Sequence, residues 1–189
     1  MNGAAPRQVV FCGVGTSGRS ELARTIYSSS GNSRVERFST HNVLVVENAA
    51  GILRISSDMW LSKLQVDEPD KLFSDERVTF EMDALKQADA IVFLWDTRGF
   101  RRQANLNHLC LINEVLIRAV SPKPVPLLVL ANIGLQPRTQ APESAILKEV
   151  KDLVTSSKCK SFFEPISFLL GEATSAIVAK QVITYVLEA

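Results

Sequence analysis

Short apolar runs rich in β-branched residues alternate along this chain with stretches whose apolar residues recur every three or four positions. Gln8–Cys12 is an apolar run that stops at Gly13, and Ser20–Ser28 follows as a helix with Leu22, Ala23 and Ile26 on one face. Two β-rich runs, Val43–Val46 and Ile52–Ile55, flank Glu47-Asn48-Ala49-Ala50-Gly51, where Asn and Gly suit a hairpin turn. Helical spacing returns over Phe80–Gln87. Ala90–Trp95 is continuously apolar, the pattern of a strand buried on both faces. Leu106, Leu109, Ile112, Val115, Leu116 and Ala119 keep helical spacing, and Val125–Ala131 is a second buried strand with Pro126 at its start. A helix opens at Pro142, a last strand spans Ser161–Leu169 despite Pro165, and Ala176–Leu187 closes the chain as an amphipathic helix. The predicted order is β-α-β-β-α-β-α-β-α-β-α. It implies a three-layer α/β fold: a mainly parallel six-stranded sheet, one antiparallel edge strand, and helices on both faces.

No repeat or Pro/Gly-rich linker divides the 189 residues, so 1–189 reads as a single domain. Its one irregularity is an acidic insertion near 61–80, carrying Asp67, Glu68, Asp70, Asp75 and Glu76. The composition is 46% hydrophobic and 22% charged, which excludes a disordered chain. With 21 basic and 20 acidic residues there is no basic excess, so nucleic acid is not an expected partner. No apolar run approaches the ~18 residues that span a bilayer. Cys12, Cys110 and Cys159 are scattered, without a C-x-x-C pair. They read as reduced thiols of a cytoplasmic protein rather than metal ligands. His41 and His108 stand alone and take surface or packing roles.

The chemistry-bearing segment follows the first strand: Gly13-Val14-Gly15-Thr16-Ser17-Gly18-Arg19-Ser20. It matches the P-loop pattern G-x-x-x-x-G-K-[ST] except that Arg19 stands at the lysine position. Glycines there let backbone N–H groups curl around phosphate oxygens, and the following helix adds its positive N-terminus. Ser20 offers a hydroxyl where Mg²⁺ would sit if bound. Arg19 keeps the charge, but its planar fork is wider than an ammonium that slides between two phosphates.

With this loop, the hairpin and the later βα units, the chain resembles the Ras superfamily of small GTPases, of the Arf- or Rab-like kind, over nearly its whole length. The resemblance implies a P-loop NTPase fold and a set of further motifs, most of which have changed. The D-x-x-G that ends the family's third strand falls on Ser57-Asp58-Met59-Trp60. A literal D-x-x-G occurs at Asp96-Thr97-Arg98-Gly99, but its distance from the P-loop is that of the fourth strand. The guanine-reading N-K-x-D becomes Asn132-Ile133-Gly134-Leu135, so only Asn132 is kept. The family's S-A-K segment falls about Glu164-Pro165-Ile166 and is not matched. No glutamine follows Trp60 to orient a hydrolytic water; Leu61 stands there.

These departures imply a pseudo-GTPase with no catalytic residue. It would serve as a non-catalytic protein-interaction subunit in a stable complex of the trafficking, ciliary-transport or kinetochore kind. The degenerate P-loop comprises Gly13, Gly15, Thr16, Ser17, Gly18, Arg19 and Ser20, with Asn132 left from the base site and no cofactor beyond weak GTP or GDP with Mg²⁺. The partner surface expected from the switch-like position is Met59, Trp60, Leu61 and Leu64. One alternative is an atypical GTPase that holds nucleotide through Arg19; another is a small P-loop kinase whose lid arginines would be Arg98, Arg101 and Arg102. Asn2, in place of a myristoylated glycine, and a terminus without a prenylatable Cys imply no direct membrane anchor.

Overall fold

The computed structural model describes residues 5–37, 42–48, 51–57, 76–118, 123–135, 141–158 and 161–189. Among the described residues seven strands form one sheet: β1 (Arg7–Cys12), β2 (Ser33–Arg37), β3 (Asn42–Asn48), β4 (Gly51–Ser57), β5 (Ala90–Asp96), β6 (Val125–Asn132) and β7 (Phe163–Gly171). Their order is β2-β3-β4-β1-β5-β6-β7. β1 pairs in parallel with β4 and β5, and β5–β6 and β6–β7 are also parallel, whereas β3 runs against both β2 and β4. The sheet therefore has one strand more than the six expected. The extra strand, β2, lies outside the antiparallel β3 and forms the edge of the sheet.

Five helices cover the two faces: α1 (Arg19–Ser29), α2 (Glu76–Lys86), α3 (Arg102–Ile117), α4 (Glu143–Ser156) and α5 (Ala176–Glu188). The central strands feed both layers because successive side chains of a strand point to opposite faces. In β5, Ile91, Phe93 and Trp95 pack with Leu109 and Ile112 of α3, while Ala90, Val92 and Leu94 pack with α1 and α5. β6 divides its residues in the same way, with Leu127 and Val129 on one side and Leu128 and Leu130 on the other. That double burial is why both strands read as unbroken apolar runs. Pro165 is accommodated in β7 because that strand forms the other edge of the sheet.

His108 packs as expected, buried with its ring centroid 5.9 Å from that of Phe93. Cys12 keeps a buried thiol at the end of β1, but Cys110 on α3 is disulfide-bonded, which corrects the expectation of uniformly reduced cysteines. Among the described residues no helix is long and apolar enough to cross a membrane. Met59, Trp60, Leu61 and Leu64 lie outside the described residues, as does the acidic stretch up to residue 75.

Candidate functional site

β1, β5, β6 and β7 all end on the same side of the sheet, and their loops meet there. The loop after β1 turns back at once: Ser17 N donates to Val14 O at 2.8 Å, and Gly18 caps α1 with φ +99°. Only a residue without Cβ fits this cap, because a Cβ on Gly18 would lie 2.4 Å from Asn132 Nδ2. Gly13 is under the same constraint, since a Cβ there would stand 2.5 Å from Leu94 O in β5. The two outer glycines of the P-loop pattern are thus required by close packing, whatever the loop binds.

The side chains of the loop divide between surface and interior. Gly15, Thr16 and Ser20 are exposed, whereas Ser17 and Arg19 are buried. The Ser17 hydroxyl lies against Gly13 and makes no hydrogen bond. Ser20 stands exposed on the first turn of α1. Among the described residues no three His, Cys, Asp or Glu side chains gather as a metal site.

Asn132, at the end of β6, ties three loops together. Its Nδ2 donates to Ser17 O at 2.8 Å, and its Oδ1 accepts from Gly134 N and Ala173 N, both at 3.2 Å. The register Asn132↔Gly171 brings residues 172–174 beside it. The position expected about residues 164–166 is therefore corrected: the loop beside Asn132 is Glu172-Ala173-Thr174. The Thr25 hydroxyl of α1 holds the same loop by donating to Ala173 O at 3.0 Å.

The literal D-x-x-G forms a second brace. Asp96 ends β5 fully buried. Its Oδ1 accepts from the Arg98 backbone N at 3.1 Å and from Arg98 Nε at 2.9 Å; its Oδ2 accepts from Arg98 Nη2 at 2.5 Å. Arg98 Nη2 also donates to the Thr16 hydroxyl at 2.7 Å, and that hydroxyl donates to Asp96 Oδ2 at 3.2 Å. Asn105 of α3 fixes the Asp96 backbone, donating to its carbonyl and accepting from its N–H. The hydrogen bonds to Asp96 hold the Arg98 guanidinium above its ordinary pKa, against a smaller opposing effect of burial. Asp96 is therefore paired with an arginine. Sequence reasoning noticed Asp96 but missed this triangle. The signal was an Asp two residues before an Arg, the spacing of an Asx-turn.

Ile133 and Leu135, on a 3-10 turn directly after Asn132, carry no polar side-chain atom. Among the described residues, these two side chains do not fit a guanine base, which needs polar partners.

Solved structures share this architecture. The small GTPase Arl6 BBS3 from Trypanosoma brucei, with a bound nucleotide analogue, matches with a TM-score of 0.63 and 17% identity, over 97% of this chain and 96% of that one. The fold is that of the small GTPases. A GTP-binding protein from Sulfolobus solfataricus in complex with GDP gives a TM-score of 0.63 at 14% identity, covering 97% of this chain and 53% of that one. An ADP-ribosylation-factor-like protein, the small COPII coat GTPase SAR1 of Encephalitozoon cuniculi, gives 0.56 at 14%, over 100% and 78%. No protein-family model matches the sequence, and no curated protein does either.

Proposed function

We propose that this small-GTPase-like chain is a non-catalytic interaction subunit of a larger assembly of the trafficking, ciliary-transport or kinetochore type, and that it has no GTPase cycle. The observation that carries this reading is the pair of apolar side chains, Ile133 and Leu135, directly after Asn132 at the base site. Losing the charged two-pronged contact to the base lowers affinity by about two to four powers of ten, at ~1.5–3 kcal/mol per charge-assisted bond. The chain's own side chains also support it. Arg98 and Asn132 already fasten the P-loop, so its shape does not call for a ligand.

Quantifying nucleotide released from the purified, heat-denatured protein tests the reading. We expect no stoichiometric GDP or GTP, and no single-turnover GTP cleavage above the solution background. Stoichiometric GDP, retained in the native protein and lost in Ser20→Ala, would favour an atypical GTPase that holds phosphates through Arg19.

The partner surface proposed for Met59, Trp60, Leu61 and Leu64 has its own test. Trp60→Ala should weaken capture of the native partner at least about tenfold, in keeping with the cost of truncating an interface aromatic. The urea-unfolding midpoint should stay unchanged. A large loss of stability with partner capture unaltered would assign Trp60 to the core.

A further inference from the structure

The edge strand β2 has the sequence Ser33-Arg34-Val35-Glu36-Arg37, in which Arg34 and Glu36 exchange places when the strand is reversed about Val35. Its pairing with β3 decides which backbone groups point outward. Glu47 N donates to Asn32 O, and the register continues as Arg34↔Val45 and Glu36↔Val43. In an antiparallel ladder, hydrogen-bonded pairs alternate with non-bonded ones. Arg34 and Glu36 therefore bond toward β3, and the N–H and C=O groups of Ser33, Val35 and Arg37 face away from it.

The side chains alternate as well. Arg34 and Glu36 share one face, 3.2 Å apart, where Glu36 also meets Arg54 at 2.7 Å. Val35 lies on the other face, in the row Val35–Leu44–Ile55, and is the member of that row left 47% exposed. Tyr27, near the end of α1, is equally exposed; its carbonyl accepts the Ser33 hydroxyl at 2.9 Å.

We propose that this edge binds a second copy of the chain, β2 pairing antiparallel with β2 about a two-fold axis through Val35, so that the two sheets become one. At that register Val35 meets Val35, and Ser33 meets Arg37 of the other copy, as hydrogen-bonded pairs that use the outward-facing groups. Arg34 then faces Glu36 of the other copy twice, in the non-bonded positions where opposite side chains approach most closely. Charged side chains on an edge strand usually discourage pairing with another chain, most of all where like charges would meet. Here the signs are ordered so that a second copy is attracted, and an isologous contact brings both Arg–Glu pairs together at once.

Sedimentation equilibrium of the full chain tests this through a charge swap. The wild-type chain should dimerise reversibly. Arg34→Glu makes the edge acidic at both positions and Glu36→Arg makes it basic at both, so each variant alone should dimerise at least about tenfold more weakly. An equimolar mixture of the two should recover wild-type association, because the acidic edge of one meets the basic edge of the other. Val35→Pro removes an outward N–H that β3 does not use, and should give a folded monomer. Arg34 is 55% exposed, so the urea midpoint of Arg34→Glu should stay close to wild type, whereas Glu36 and its partner Arg54 are each 28% exposed and Glu36→Arg should lower it modestly without unfolding the chain. A wild-type chain that stays monomeric, single variants that dimerise as wild type, or a mixture that fails to recover would each overturn the proposal.

Discussion

Replacing Asn132 by alanine is expected to cost about 3 to 5 kcal/mol of folding stability, because each buried polar group left unpaired costs about 1 to 3 kcal/mol. Two of its partners, Ser17 O and Ala173 N, belong to buried residues, and the third is Gly134 N. The loss should appear as a lower urea midpoint with the slope of the transition unchanged. Asn132→Asp is the informative companion. It keeps an acceptor for Gly134 and Ala173 but sets a carboxylate oxygen against Ser17 O, so it should also destabilise. If Asn132 served only to bind a ligand, both variants would unfold like the wild-type chain.

Arg98→Ala should cost about 3 kcal/mol, since removing one partner of a buried ion pair leaves the other charge uncompensated. Asp96 has no exposed surface, and the next cation, Arg101 Nε, stands 3.9 Å from it. Adding Asp96→Asn to Arg98→Ala should return most of the loss, because the amide has no charge to bury. The coupling between the two changes should then exceed about 1 kcal/mol, as for residues in one hydrogen-bonded network. Additive losses in the double variant would mean that the two side chains are stabilised independently. Either outcome is read from equilibrium unfolding of four proteins.

Most of the architecture is legible in the sequence because burial on two faces leaves a plain signature. Ala90–Trp95 and Val125–Ala131 could hardly be anything but central strands. β2 escaped notice for the opposite reason: at the edge of the sheet, Arg34, Glu36 and Arg37 leave Val35 as its one large apolar residue. The end of β7 was misjudged on similar grounds. From Ile166 onward its residues are only half-buried, so the apolar run does not mark where the strand stops, and the loop facing Asn132 was placed too early in the chain. The P-loop glycines were found through a pattern with a mechanism. The Asp96–Arg98–Thr16 triangle was not, because it joins residues distant in sequence that only the β1–β5 pairing brings together.

That pairing also bears on how the chain is made. Of the described strands, the first to leave the ribosome is the middle one of the sheet: Val9 must wait for Ile55 on one side and for Ala90 on the other. At synthesis rates of about 5–20 residues per second, its two edges stay open for several seconds. Meanwhile β2, β3 and β4, whose contacts are local, can pair among themselves as they emerge. Once that ribbon includes β4, β1 can pair with it on one side, while its other apolar edge stays open until β5 emerges. Release of a chain truncated before β5 should therefore yield aggregates rather than a smaller folded unit.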